Sequence, residues 1–196
     1  MFNKIFSLLA IIILLPLIIV VSFLIIIKDG FPIFFRQNRI GLNGKKFKIY
    51  KFRTMIKNSE EILLNNKRLY KEYVNNGFKI DSKIDPRILP FGHFLRSSSI
   101  DEIPQFFNVL SNDMNVVGPR PVVEKEVDKL YGQNKHYYLS MKPGITGLWQ
   151  VSGRSDTTDE ERVYLDIEYY NKRSLMFDIN IILKTVVEVF KRTGAY

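Results

Sequence analysis

Ile, Leu, Val and Phe fill residues 5–27, interrupted only at Ser7, Ala10, Pro16 and Ser22. About 23 helical residues at about 1.5 Å each reach roughly 34 Å, enough to cross a hydrocarbon core of about 30 Å. The run is too long for the core of a signal peptide, and no small-x-small cleavage site follows it. Pro16, near its middle, removes a backbone hydrogen bond and clashes with the preceding turn. A break there predicts a re-entrant hairpin with arms of about 11 residues, roughly 16 Å each. Lys4 and Lys28 flank the run, which suits two ends on the cytoplasmic side. A spanning helix merely kinked at Pro16 is the alternative, and length does not choose between them.

Beyond the apolar run the pattern alternates. Pro32 to Met55 reads as a β-hairpin, with Ile33-Phe34-Phe35 and Phe47-Lys48-Ile49-Tyr50 as strands and Gly41-Leu42-Asn43-Gly44 as the turn. Ser59 to about Asn76 reads as one helix, capped by Asn58 or Ser59 and ended by Gly77. Its apolar face (Ile62, Leu63, Leu69, Tyr70, Tyr73, Val74) is interleaved with Lys67, Arg68 and Lys71. That suits either an interfacial helix on lipid phosphate or an ordinary surface helix. Residues 81–92 form a loop, and a short helix leads to Ser97-Ser98-Ser99. Helices follow at Ile103–Leu110, Val122–Tyr131, Thr157–Asn171 and Asp178–Arg192, with loop and a short strand over Lys142–Arg154. The expected fold is a mostly helical, membrane-associated α+β single domain with a small β-hairpin. Residues 1–30 are its membrane helix, broken at Pro16, and residues 31–196 its globular domain.

Charge narrows the partners. The 196 residues carry a net charge of +9, which points to an anionic partner: lipid headgroups, nucleotide phosphates or nucleic acid. The chain has no Cys, which excludes disulfides and thiolate zinc sites. It also lacks a P-loop, a Gly-x-Ser-x-Gly elbow and a His-Glu-x2-His helix.

The richest stretch is Arg96 to Pro121. Asp101 and Glu102 stand together where a helix should begin, bracketed by Arg96 and Arg120. An anion so placed is expected to stay ionised at neutral pH, ready to hold a metal or attack phosphorus. Ser99 and Glu102 also have capping-box spacing, so helix capping is the competing role. Gly118-Pro119-Arg120-Pro121 fixes the backbone on both sides of one guanidinium, as a phosphate clamp requires, although a plain surface turn would look the same. Lys51 and Arg53 share a strand face and could converge on one ligand, or could be a solvated edge. Gly144, Gly147 and Gly153, with Thr146, Ser152 and Arg154, could cradle a nucleotide or simply turn twice. Asp166 is an unplaced acid able to orient a metal or a base. His93 and His136 have no partner at ligand spacing.

Read together, these segments resemble the bacterial sugar transferases, the monotopic phosphoglycosyl transferases. The resemblance rests on Lys-Phe-Arg-Thr-Met (51–55), Asp-Pro-Arg-Ile (85–88), Ser-Ile-Asp-Glu-Ile-Pro-Gln (99–105), Phe-Asn-Val-Leu (107–110) and Val-Gly-Pro-Arg-Pro (117–121). It continues through Lys-Pro-Gly-Ile-Thr-Gly-Leu-Trp-Gln-Val-Ser-Gly-Arg (142–154) and Gly-Ala-Tyr (194–196). The segment around Trp149 and the closing tripeptide look most like the undecaprenyl-phosphate galactose phosphotransferase branch. The resemblance implies transfer of a sugar 1-phosphate from a UDP-sugar to undecaprenyl phosphate, with UMP leaving, as the first membrane step of surface polysaccharide or glycoconjugate synthesis. Galactose is the favoured sugar; glucose or an N-acetylated amino sugar is the alternative.

The same resemblance makes Asp101 the nucleophile, Glu102 its helper and Mg²⁺ the ion on both. The residue reading adds Lys51, Arg53, Arg96, Arg120 and Arg154 as phosphate ligands, with Asp166, Thr146 and Ser152 as further candidates. The resemblance implies a bacterial inner membrane location with the site on the cytoplasmic face, membrane lipid but no nucleic acid as partner, and leaves a homodimer open. The family anchor generally breaks at a Ser-Pro pair; here Leu15 precedes Pro16. A membrane-tethered polyanion binder is the remote alternative, and it does not explain a carboxylate pair among cations.

Overall fold

The computed structural model describes residues 1–76, 80–81, 83–153 and 157–191. It begins with α1, Phe2–Asp29, an unbroken helix with Pro16 inside it. The two arms expected on either side of Pro16 are therefore one element. Helix hydrogen bonding before and after the proline, and packing along the length, hold it together. The buried positions Ser7, Ile18, Val21 and Ile25, with the partly buried Ile11 and Leu14, recur at alternating spacings of three and four and so make one face. That face lies on Phe52, Leu89 and Leu95 of the globular part. The rest of the helix is bare: Ile13 is 75% exposed and Phe23 61%.

Both ends of α1 are fastened. The Val116 amide donates to the Asn3 side chain at 2.9 Å, and the Phe6 and Phe106 rings lie 6.3 Å apart. At the far end Arg53 pairs with the Asp29 carboxylate.

The expected hairpin forms from β1, Phe34–Ile40, and β2, Lys46–Phe52, paired antiparallel with Phe35 opposite Lys51. Its turn places Asn43 (φ 55°) and Gly44 (φ 76°) in the left-handed region, where these two residue types are favoured. The helix expected over 59–76 is two: α2, Ser59–Asn65, and α3, Lys67–Asn75. Asn66 divides them. Its backbone is extended, and its side chain accepts from the Leu69 amide at 3.0 Å, which caps α3. Then come α4, Gly92–Ser97, and α5, Gln105–Leu110.

A second sheet was not foreseen. β3, Asn115–Val117, pairs in parallel with β4, Gly144–Thr146. The close backbone approach explains two glycines. A Cβ on Gly144 or on Gly147 would run into Gly118. The helices α6, Glu124–Tyr131, α7, Lys135–Leu139, and α8, Leu148–Val151, are short. α9, Asp159–Lys172, starts with a full capping box between Thr158 and Glu161, and α10, Leu175–Lys191, closes the described chain. The helical content and the small hairpin give the expected α+β class. The main core gathers β2, β3, β4, α8, α9 and α10 around Ile49, Val117 and Ile181.

Candidate active site

The acid pair sits in a single 3-10 turn, Ile100–Glu102, between α4 and α5. Ser99 enters it in the left-handed region (φ 58°) and makes no side-chain cap. α5 begins only after Pro104, whose missing amide costs nothing at a helix start. The capping role is thereby overturned for both carboxylates. The turn leaves Glu102 to receive Lys51 Nζ at 2.6 Å, with the Arg120 guanidinium 3.7 Å away. Asp101 is buried beside it.

The surrounding cations do not by themselves keep Asp101 in the ordinary carboxylate range. Burial raises its pKa first, and the adjacent Glu102 charge raises it further. Lys51, Arg96 and Arg120 pull it down but are outweighed, and it stands at about 7. Charge counting along a sequence registers the cations and omits the lost water.

Three devices set the cations. The buried Asn108 of α5 accepts from the Tyr50 amide at 2.9 Å and donates to the Lys48 carbonyl at 2.8 Å. This stitches α5 to β2 one residue from Lys51. Arg96 donates from Nε to Thr54 Oγ1 at 2.9 Å, and burial lowers its pKa while Asp101 supports it.

The Arg120 turn is held on both flanks. The Gly118 amide donates to the Thr146 carbonyl and the Gly144 amide to the Pro119 carbonyl, each at 2.9 Å. On the other side the Ile40 amide donates to the Val122 carbonyl at 3.0 Å, and Arg39 donates to the Pro121 carbonyl at 3.3 Å. The Tyr138 hydroxyl donates to the Ile40 carbonyl at 2.7 Å and accepts from the Val122 amide at 3.2 Å. Burial pushes that phenol up to about 12, so it remains a donor throughout the working pH range. Tyr138→Phe leaves a buried carbonyl and a buried amide unpartnered. It should cost about 1–3 kcal/mol, read as a lower denaturation midpoint in urea.

Thr54 and Asn108 stood in the sequence only as members of motifs, without a role, and Arg39 and Tyr138 were not singled out. A polar Asn inside the apolar run Phe106–Leu110 was the one available signal, because a buried amide must find partners.

Several expected ligands lie elsewhere. Arg53 does not share a ligand with Lys51. It is buried and pairs with Asp29, and it donates to the carbonyls of Pro32 (2.7 Å), Gly30 (2.6 Å), Asp29 (3.2 Å) and Met55 (3.3 Å). Its amide still bonds the Ile33 carbonyl at 2.9 Å, continuing the hairpin ladder, but its guanidinium is taken up by the end of α1. Asp166 is buried and accepts from the Tyr131 hydroxyl at 2.7 Å. Burial raises its pKa to about 6, against that hydrogen bond and Arg162. Thr146 faces Thr185 of α10 at 2.7 Å. Ser152 ends α8, its amide bonded to the Trp149 carbonyl. Gly144 and Gly147 serve backbone packing. Arg154 lies outside the described residues, as does the closing tripeptide.

Among the described residues no three His, Cys, Asp or Glu cluster as a metal cage. Asp101 and Glu102 could still hold Mg²⁺, which is commonly bound by one or two carboxylates together with substrate phosphates. A carboxyl whose pKa is raised by an adjacent carboxylate is a site where an added cation gains from both.

The family model described as bacterial sugar transferase matches residues 1–192. The chain is 44% identical over 198 residues to the undecaprenyl-phosphate galactose phosphotransferase of Salmonella typhimurium, covering 100% of this chain and 41% of that protein. It is 48% identical over 169 residues to galactosyl transferase CpsE of Streptococcus agalactiae, covering 86% of this chain and 37% of the relative. With the exopolysaccharide production protein ExoY of Sinorhizobium fredii it shares 41% identity over 199 residues, covering 100% of this chain and 86% of ExoY. The chain thus spans less than half the length of the first two relatives.

Proposed function

The chain belongs to the bacterial sugar transferase family, and we propose that it moves a sugar 1-phosphate from a UDP-sugar to undecaprenyl phosphate through a covalent intermediate on Asp101. The observation that carries this reading is a buried aspartate beside a second carboxylate, faced by Lys51, Arg96 and Arg120, in a domain with a bare apolar helix along one side. The names of the relatives favour galactose as the sugar, with glucose or an N-acetylated amino sugar as the alternative within the same chemistry.

In the first step an Asp101 carboxylate oxygen attacks the β-phosphorus of the UDP-sugar. The bond from that phosphorus to the bridging oxygen breaks, and UMP leaves with the electron pair. In the second step a phosphate oxygen of undecaprenyl phosphate attacks the same phosphorus, and the Asp101 carboxylate leaves. Splitting the transfer lets one site take a soluble donor and then a lipid acceptor. Arg120, preset by its clamped turn, can hold diphosphate oxygens at little entropic cost. Lys51 holds Glu102 and adds positive charge where the diphosphate must lie. Magnesium held by Asp101 and Glu102 would neutralise the diphosphate so that an anion can approach it.

Membrane attachment from one side follows the same reading. With Asn3 and Asp29 both fastened to the domain, α1 offers its bare face to lipid without carrying one end away. On this reading the site works at the lipid surface, on the cytoplasmic face of the inner membrane.

Two measurements check the proposal. Membranes holding the protein, given undecaprenyl phosphate and a panel of UDP-sugars, should release UMP most strongly with UDP-galactose; no release with any donor would remove the proposal. Magnesium at pH 7 should raise the melting temperature of the wild type and leave that of Asp101→Asn nearly unmoved. Equal shifts in both proteins would exclude Asp101 as a ligand.

A further inference from the structure

Arg39 lies one hydrogen bond from the Arg120 turn, and no step of the proposed transfer uses it. We infer that Arg39 is a positioning residue for that transfer: its fixed charge keeps the Arg120 guanidinium turned toward Glu102, where the donor's diphosphate must lie. The inference rests on the proposed reaction and adds a residue to its donor subsite.

Arg39 approaches from the far end of the hairpin. It stands opposite Phe47, and Lys51 stands opposite Phe35, so the two cations share one face of the sheet. Arg39 Nη1 donates to the carbonyl of Pro121, the residue after Arg120, at 3.3 Å. Nη2 donates to Gln37 Oε1 at 2.7 Å, which fixes the guanidinium plane. Burial lowers the Arg39 pKa. Among its charged neighbours Glu126 raises it, Arg120 lowers it and Glu102 raises it. Arg39 is thus within electrostatic reach of both members of the Arg120–Glu102 pair.

Arg120 needs such a constraint. The prolines on either side fix its backbone but not its long side chain, which is 39% exposed. Glu102 lies 3.7 Å from it, beyond a hydrogen bond, and the same Glu102 oxygen already accepts from Lys51 at 2.6 Å. Glu102 draws the guanidinium in, and the like charge of Arg39 makes a swing toward itself costly.

Folding does not explain an arginine at position 39. Its Nε is buried and has no hydrogen-bond partner among the described residues. A shorter donor reaching the same carbonyl would avoid that loss. The Glu126 ion pair adds little, at 3.8 Å and with the Glu126 side chain 52% exposed. That carboxylate also serves the Val123 amide at 3.1 Å. A permanently charged group kept at a cost to stability marks a functional position.

Steady-state transfer by the full chain in lipid nanodiscs separates this role from a structural one. Arg39→Gln should raise the donor KM about tenfold, with kcat changed less than about threefold and the urea midpoint close to that of the wild type. Arg39→Lys keeps the charge and should stay within about threefold of the wild-type donor KM. Gln37→Leu removes an exposed prop of Arg39 and should raise the donor KM in the same direction as Arg39→Gln. A double-mutant cycle then asks whether Arg39 acts through Arg120: in an Arg120→Gln background, Arg39→Gln should change the donor KM less than about twofold. An unchanged donor KM in both Arg39→Gln and Gln37→Leu overturns the role. So does an undiminished effect of Arg39→Gln once Arg120 is gone. A wild type that releases no UMP from any UDP-sugar overturns the transfer reading beneath it as well.

Discussion

Asp101→Asn is expected to abolish sugar-phosphate transfer and, at the same time, to make the protein more heat-stable at pH 8. The amide keeps the size of the carboxyl but is a far poorer nucleophile, so the loss of turnover should be about 10³-fold or more. The gain in stability follows from the sign of the pKa shift. The folded-state value of about 7 lies above the ordinary 3.8, so the folded protein binds more protons than the unfolded chain between these values. The contribution of Asp101 is fully present below about pH 4 and is lost as pH rises through about 7. The Asn variant lacks that titration. Its melting temperature should match the wild type near pH 4 and exceed it at pH 8. A variant with full turnover, or one with no stability gain at pH 8, would contradict the picture of a reactive carboxylate whose charge is costly to bury.

Arg53→Leu should be the most destabilising change among the residues that looked like ligands. It would leave the Asp29 carboxylate with only the Lys57 amide and remove the donor to four backbone carbonyls around a guanidinium that is 9% exposed. Breaking such a pair from one side costs about 3–5 kcal/mol. Lys at this position should not rescue it, because an ammonium lacks the forked, planar donor set. The expected readout is a large drop in melting temperature, with the donor KM of the remaining folded protein unchanged. Normal stability with a raised donor KM would return Arg53 to the phosphate site. Lys51→Met is the matching contrast: Lys51 bonds Glu102, so its loss should fall on transfer and weigh lightly on folding.

These two residues also show what could be read in advance. The Asp101-Glu102 pair, the proline-fixed Arg120 and the apolar helix are local, and each announces itself by residue type. The protonation of Asp101 is not local, because it depends on water removed by distant segments. Arg53 looked like a partner of Lys51 from its place in the strand, which does not show that the end of a distant helix claims its guanidinium. The split at Asn66 turned on one extended residue with a capping side chain. The β3–β4 pairing joins segments nearly 30 positions apart, and glycines that seemed to wait for a nucleotide instead let two backbones touch. Thr146 and Asp166 have the right chemistry for a site, but their hydrogen bonds go to Thr185 and Tyr131.

The covalent step is open to intact-protein mass spectrometry after the wild type is mixed with a UDP-sugar in the absence of lipid acceptor. A mass increase of one sugar phosphate is expected, mapped to the peptide carrying Asp101, and it should disappear when undecaprenyl phosphate is added. Product formed at full rate with the enzyme unmodified throughout, or an adduct on any other side chain, would contradict that step.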